Sequence, residues 1–386
     1  MHPATLTARA LGRALVSRQL LAERAPLTAL EAVEHLVGMQ AQAPKPPYYG
    51  LFSRLADFRA EELSALLRDR RAVRVSVMRG TVHLVSAADA LQLRPLTRTL
   101  YEALMRGSHR KRLEGVDPQD VADAATELLR REPRSVSELS RLLGERWPEH
   151  EPDALSRAAW ALCDVVQIPP RGLWERSGRP AYATIESWLG SPVSAEPCVE
   201  TVLLRYLGAF GPASVMDAQA WSGLTRLGEV MERLRPRLRV FRSEGGRELF
   251  DLPDAPRPDP GLPLPARFVA EYDNLILSHA DRTRVISDAD RKLIASRNGQ
   301  VPGTVLLDGE VRGMWKLERP RKGAVTLTVT PFRRALTGEQ ERELTAEGER
   351  LAAFSVHGGE SAARSAEGAA TSAADEFTVV FASPAG

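Results

Sequence analysis

The sequence predicts an α+β fold: three tandem winged-helix units, each a run of short helices closed by a strand pair, followed by a small C-terminal β-barrel. Three observations carry this. The order helices-then-hairpin occurs three times, at intervals of roughly 70 to 90 residues. A proline-rich stretch, Asp254 to Pro265, follows the third unit and reads as a linker. Beyond it the texture changes to short strands punctuated by Gly and Asp, the pattern of a small barrel or curled sheet. The units are expected at residues 1–95, 96–192 and 193–256, with the barrel at 257–386.

In the first unit Leu6, Ala10, Leu11, Leu15 and Leu20 repeat at helical period. Thr28, with Glu31 three residues on, forms a capping box for a second helix through Ala32, Val33, Leu36 and Val37. That helix is expected to end before Pro44, and the Pro46-Pro47 pair forbids its continuation. A short aromatic segment, Tyr49 to Leu55, precedes a helix at Ala60 to Asp69. Ala72 to Val77 alternates at period two, and Arg79-Gly80-Thr81 turns the chain into a second strand, Val82 to Val85.

The second unit has helices at Val121 to Arg130, from Ser135 or Ser137 onward, and at Pro152 to Cys163. Its strands are expected at Val165 to Ile168 and around Trp174, turning at Arg171-Gly172. In the third, Val199 to Leu207 is helical, Gly211 to Ser214 restarts a helix, and Leu224 to Leu234 forms another. Glu244-Gly245-Gly246 then joins Leu238–Phe241 to Glu248–Leu252 as a hairpin. Past the linker, strands are expected at Phe268–Ala270, Leu275–Leu277, Val285-Ile286, Val305–Leu307, Val311, Met314–Leu317 and Val325–Val329, with Asp308-Gly309 as a hairpin turn. Thr337 caps a helix to Phe354, with Gln340 completing the box. Residues 358–374 are Gly, Ala and Ser with little to bury, the composition of a disordered insertion, and Phe377 to Phe381 returns as a last strand.

Composition narrows function. The balance of 43% apolar and 26% charged residues is that of a globular chain, and no apolar run is long enough to span a bilayer. Met1 to Leu20 carries Arg9, Arg13 and Arg18 on a helical pattern with no cleavage site, which argues against a secretory signal and for the cytoplasm. Cys163 and Cys198 fit no zinc or redox spacing and read as a buried, reduced pair. Residues 1–100 hold 14 Lys or Arg against 8 Asp or Glu, and residues 351–386 hold 1 against 4. That asymmetry fits a phosphate-facing surface near the N-terminus, or simply solvated helix faces. The chain has no glycine-rich nucleotide fingerprint, no phosphate loop, no His-Glu-x-x-His and no Gly-x-Ser-x-Gly, so neither metal nor cofactor is called for.

What stands out is His35 to Pro44, where Gln40 and Gln42 sit at the end of the helix that breaks at Pro44. Residues at i and i+2 in extending chain can aim both amides into one cleft. The alternative is a polar helix end that bonds its own frayed carbonyls. Gln40-Ala41-Gln42-Ala43-Pro44, followed by Pro47-Tyr48 and Gly50-Leu51, resembles the catalytic motif of the AlkZ/YcaQ family of winged-helix DNA glycosylases. Three further segments are similar to that family in order: Arg79 to Leu84, Tyr272 to His279 with Arg282, and Leu307 to Trp315.

The resemblance implies three winged helices and a barrel in a C shape around double-stranded DNA, with a β-hairpin in the minor groove. It implies a monofunctional enzyme that frees N7-alkylated purines. The motif is in its Gln-x-Gln form, which resembles members that guard producers of DNA-alkylating antibiotics. Gln40 and Gln42 would then be catalytic, orienting a water through their amide oxygens while taking no proton. Arg79 and His83 are candidate phosphate contacts, with His83 equally open to a structural hydrogen-bonded role. Asp273 and Arg282 pair with each other or with backbone, or Arg282 contacts DNA. The basic segment Arg291 to Gly303, with Lys292, Arg297, Asn298 and Gln300, is the expected groove-entering hairpin. Trp221 and Trp315 are expected in the core. A crosslinked base cannot swing into a snug pocket, so an open cleft is expected, and a C-shaped clamp suits a monomer. Two other readings remain, a winged-helix transcription regulator and a protein that sequesters a drug without cutting DNA. The first lacks a dimerisation segment for paired half-sites.

Overall fold

The computed structural model describes residues 3–105, 110–296, 299–320, 324–359 and 377–386. The first part runs β1 (Thr5–Leu6), α1 (Ala8–Arg18), α2 (Ala29–His35), β2 (Met39–Gln40), α3 (Pro46–Arg54), α4 (Ala60–Arg68), β3 (Ala72–Ser76) and β4 (Val82–Ser86). Thr28 and Glu31 form the expected capping box on α2. Two details of this part differ from expectation. Helix α2 stops at His35, because Val37 (φ 52°) and Gly38 (φ 93°) turn the chain and lay Met39 and Gln40 along β4. Pro46 and Pro47 do not block a helix but begin one, at the two positions of α3 whose N–H groups would be unpaired anyway.

Next come α5 (Ala87–Leu104), α6 (Pro118–Arg131), β5 (Arg134–Ser135), α7 (Val136–Arg146), α8 (Pro152–Leu162), β6 (Val165–Ile168), β7 (Ala181–Thr184) and α9 (Ile185–Leu189). Helix α5 runs through the junction expected at 95/96. The strand that returns beside β6 is β7, not the segment around Trp174. Trp174 lies in the connection, where its N–H donates to Ser64 and its ring packs 5.0 Å from Tyr48. Strands β3 and β6 pair, so one antiparallel sheet of order β2-β4-β3-β6-β7-β5 joins the two parts.

The third part holds α10 (Val199–Phe210), α11 (Val215–Ser222), α12 (Leu227–Leu234) and the hairpin β8 (Arg239–Ser243) and β9 (Glu248–Asp251). Strand β1 adds to β8 in parallel. Trp221, Tyr206 and Phe210 stack at its centre, and Trp221 is fully buried.

The C-terminal part holds β10 (Arg267–Val269), α13 (Asn274–Leu277), α14 (Asp288–Ile294), β11 (Gly303–Leu307), β12 (Glu310–Glu318), β13 (Val325–Pro331), α15 (Gly338–His357) and β14 (Phe377–Phe381). Leu275 to Leu277 is a helical turn rather than a strand, because Asp273 caps it by accepting from the Leu275 N–H. The turn Asp308-Gly309 joins β11 to β12 with both residues at positive φ, as a two-residue hairpin requires. The sheet order is β10-β11-β12-β13-β14, and among the described residues no pairing joins β14 back to β10. Of the small barrel or curled sheet expected, the described strands form an open sheet with no closure. Helix α15 lies over its edges: a side chain at Gly348 would meet Leu327 of β13, Val379 of β14 and Phe268 of β10 within 3.5 Å. Most of the expected 358–374 insertion lies outside the described residues. Trp315 is in the core as expected, its indole N–H donating to the Val269 carbonyl at 2.8 Å.

The arginine excess of the first 100 residues is largely internal. Arg13, Arg18, Arg54, Arg74 and Arg94 are all at most 2% exposed. Arg13 holds the Asp308 turn, Arg18 forks onto Asp251 at 2.6 and 2.9 Å, and Arg94 takes the carbonyls of Ala161 and Cys163. Planar guanidinium groups suit such sites because several donors can be satisfied at once. The cysteines are both free but not alike: Cys163 is buried and Cys198 is exposed.

Candidate active site

Gln40 ends the short strand β2, opposite His83 on β4. The chain reaches this position through two residues at positive φ, Val37 and Gly38. A side chain at residue 38 would come within 2.7 Å of Val85, so only glycine fits there. Beyond Gln40 the backbone is held twice. The Ala41 N–H donates to the Val82 carbonyl at 2.7 Å, and Arg74 donates to the Ala41 carbonyl at 2.8 Å. Arg74 also donates to Gln167 at 2.8 Å, which ties the loop to β6. Burial, then the neighbouring Arg171, bring the Arg74 guanidinium down to about 10, so it stays charged at neutral pH. Nothing in the local sequence marks Arg74 as a support, since it alternates with Val73 and Val75 like any strand residue.

The two glutamines sit at different depths. Gln40 is 8% exposed and Gln42 is exposed. The Gln42 Oε1 accepts from the Val82 N–H at 3.3 Å. The Gln40 Oε1 accepts from Arg79 Nη2 at 2.8 Å. Beside Gln40 lies a narrow cleft also lined by Gln19, Pro46, Arg54, Glu271, Asp273 and Asn274, with about 10 Å³ of free space, roughly the room of one water. Burial on its protein side raises the Glu271 carboxyl above the ordinary carboxylate range. A larger cavity of about 330 Å³, lined by residues such as Arg98, Asp164 and Glu186, shares no residue with this cleft.

Arg79, expected on a phosphate, has its guanidinium turned onto protein groups. Nη1 donates to the Trp221 carbonyl at 2.6 Å, and Nη2 donates to Gln40 and to Asn274 Oδ1, each at 2.8 Å. Burial, then the nearby Arg282, lower it to about 10. His83, the other expected phosphate contact, is fully buried. Its Nδ1 donates to the Thr81 carbonyl at 3.0 Å and its Nε2 faces the Arg79 donor at 3.3 Å, so the ring is neutral with the proton on Nδ1. Burial and Arg79 push it down from 6.5 to about 3. Of the two roles open in the sequence, this geometry fits the structural one.

The His83 shift has a stability consequence. With the folded value depressed, the stabilisation is complete above pH 6.5 and is lost as the pH falls from there towards 3, where the unfolded chain takes up a proton that the fold refuses. At pH 5 the loss from His83 alone is expected to be about 2 kcal/mol. Urea melts at pH 7 and pH 5 on the wild type and a His83→Gln variant check it. An equal pH dependence in the two proteins would remove His83 from the account.

Asp273 and Arg282 do not pair. Asp273 is buried and forks onto Arg54, with both oxygens 2.8 Å from Arg54 nitrogens, whereas Arg282 is half-buried and donates from Nε to the His279 carbonyl at 3.2 Å. Arg291 and Lys292 lie in helix α14, not in a loop, because Ser287 caps that helix by accepting from the Asp290 N–H. Lys292 is exposed. Arg297 and Asn298 lie outside the described residues. Gln300 is exposed in the connection to β11, where its carbonyl accepts from Ser296. Asn274 was missed in the sequence. Its Oδ1 accepts from Arg79 and its Nδ2 donates to the Gly38 carbonyl at 3.3 Å, so it clamps the turn that leads to Gln40 from the C-terminal part. Its place beside the Asp273 cap was the available signal.

No helix of the described residues is long and apolar enough to cross a membrane, and no group of three His, Cys, Asp or Glu is placed to hold a metal among them.

Comparison with known proteins bears on the family and the fold. The profile of the DNA glycosylase AlkZ-like family matches residues 33–354. A curated protein of Streptomyces sahachiroi described as an interstrand DNA cross-link repair glycosylase is 26% identical over 359 residues, covering 82% of this chain and 88% of its own. The solved structure of the Streptomyces sahachiroi DNA glycosylase AlkZ superposes with a TM-score of 0.75 at 20% identity, over 98% of this chain and 100% of that one. With most of its length matched by the family profile, and with the fold shared end to end, the chain belongs to the AlkZ-like DNA glycosylases.

Proposed function

We propose that the protein hydrolyses the N-glycosidic bond of bulky or crosslinked N7-alkylated purines in duplex DNA, unhooks interstrand crosslinks, and serves genotoxin repair or antibiotic self-resistance as a cytoplasmic monomer. The observation that carries the reading is the pair of uncharged amides two residues apart, Gln40 lining a water-sized cleft and Gln42 exposed to solvent. The curated relative's description as a cross-link repair glycosylase supports the substrate class.

The chemistry asks little of the protein. Alkylation at N7 leaves the purine cationic, so the base departs readily. Water oxygen bonds to C1′ as the C1′–N9 bond breaks. The electron pair of that bond neutralises the base, and the water's proton passes to solvent. A positioned water and fixed dipoles around C1′ are the useful contributions, and an amide at Gln42 can accept from that water through its second lone pair. A base-sized enclosed pocket is absent from the Gln40 cleft, which suits a lesion that stays in or near the duplex. The helix-then-hairpin groups at 1–95, 96–192 and 193–256 are read as winged helices, and together with the sheet domain at 257–386 they would curve in a C around DNA. Arg282, Lys292 and the segment containing Gln300 are the proposed DNA contacts.

The test uses a duplex carrying one interstrand N7-guanine crosslink. Incubation followed by denaturing electrophoresis is expected to show separated strands, and alkali is expected to cut at the abasic site. Sequence-specific binding with no separation would favour a regulator. Binding of free alkylating drug with intact crosslinks would favour sequestration.

A further inference from the structure

We propose that Arg79 is a positioning residue that locks the polarity of the Gln40 amide. The inference rests on the glycosylase reading for its consequence but on geometry for its content. An amide side chain can be rotated to exchange its oxygen and nitrogen, and Gln40 lines a cleft where either end would fit. A guanidinium only donates. With Arg79 Nη2 at 2.8 Å, the atom facing it must be oxygen.

The surroundings enforce the same direction. Arg79 meets four acceptors drawn from four segments: the Gln40 oxygen on β2, the Asn274 oxygen on α13, the Trp221 carbonyl at the end of α11, and His83 Nε2 on β4. His83 can accept there because its proton is spent on the Thr81 carbonyl. Asn274 is fixed in turn, its nitrogen donating to the Gly38 carbonyl. Arg79 itself sits at φ 56° in the turn between β3 and β4, a conformation that a long side chain adopts at a cost, and one held here by these partners. Moving any one of the four would disturb the others.

The lock changes what Gln40 offers. Its oxygen is occupied by a cation, and no described group takes its Nε2 hydrogens. Gln40 therefore has donors free for the cleft, and the exposed Gln42 Oε1, bonded once to the Val82 N–H, keeps a lone pair. A water that reached both amides would be held one way round. It would accept from Gln40 with one lone pair, donate to Gln42, and keep its second lone pair for C1′. The two glutamines are chemically alike in sequence but unlike in role.

The experiment compares Arg79→Gln and Arg79→Lys in the wild-type and Gln40→Ala backgrounds, on a duplex with a single N7-alkylguanine. Glutamine at 79 can accept as well as donate and so releases the lock, whereas lysine only donates and keeps its direction. Arg79→Gln is expected to slow single-turnover base release about 10- to 100-fold, with duplex affinity within about twofold of wild type. In Gln40→Ala it should cost nothing further. Arg79→Lys should recover most of the rate. Equal losses in both backgrounds would overturn the proposal, as would weakened binding with a shallower salt dependence, the mark of a phosphate contact. A second readout needs no activity. The ¹⁵N side-chain signal of Gln40, identified by its loss in Gln40→Ala, should shift in Arg79→Gln, where the cation on Oε1 is gone, and stay near its wild-type position in Arg79→Lys. A signal left unmoved by Arg79→Gln would also overturn the lock. Wild-type protein that releases no base would defeat the glycosylase reading, and the amide spectrum would still decide the role of Arg79.

Discussion

An Asp273→Ala variant is expected to lose about 3 to 5 kcal/mol of stability. Asp273 is buried and its two oxygens each lie 2.8 Å from nitrogens of Arg54, which is itself 1% exposed. Removing the carboxylate leaves a buried guanidinium with only the Gly50 carbonyl at 3.0 Å and a distant Gln19 contact at 3.5 Å. The penalty of an uncompensated buried charge exceeds the net worth of the pair, which is why the effect is large. The same change removes the cap on α13, adding about 1 kcal/mol. Helix α13 begins at Asn274, so the Gln40 turn loses its clamp from the C-terminal part, and on the proposed reading base release should fall with stability. Guanidinium melts followed by circular dichroism measure the first effect. A midpoint within error of wild type would mean that the pair is solvated in solution.

A Gln40→Ala, Gln42→Ala double variant is expected to release base at least about 10² to 10³ times more slowly than wild type, the cost typical of losing preorganised dipoles at a reacting centre. Duplex affinity should hold, because neither residue carries charge and phosphate contacts dominate binding. The fold should hold too. Gln42 is exposed with one weak bond, and Gln40 is at the edge of the sheet, where the Ala41 N–H and carbonyl remain anchored by Val82 and Arg74. The residual rate would reflect how readily a cationic purine leaves unaided.

Much of the fold was legible in the chain because local signals and tertiary structure agree. The capping boxes at Thr28–Glu31 and Thr337–Gln340 both form, Ser135 of the two candidate serines caps its helix, and Asp308-Gly309 and Glu244–Gly246 turn hairpins where their composition says they should. The failures come where a partner distant in sequence decides. Strand β2 is two residues long and exists only because β4 lies beside it, so helical periodicity was extended over it in error. Leu275 to Leu277 is too short for its period to separate strand from helix, and the Asp273 cap settles it.

The site divides the same way. The Gln-x-Gln spacing marked the proposed site, yet nothing in it told the buried amide from the exposed one. Arginine reads as surface charge by default, which hid Arg74 and Arg79 as internal supports and made Arg13, Arg18 and Arg54 look like a phosphate-facing excess. Nothing short of the fold distinguishes an arginine bonded to carbonyls from one that waits for DNA.

The most direct test of the central claim, that two neutral amides carry the chemistry, is single-turnover base release from an N7-alkylguanine duplex between pH 6 and 8.5, for wild type and the double variant side by side. Neither amide titrates, and His83 stays neutral throughout this range. The account predicts a flat wild-type profile lying at least about a hundredfold above an equally flat double variant. A wild-type rate that climbs with pH, and loses that limb in Glu271→Gln, would contradict it and move the chemistry to Glu271.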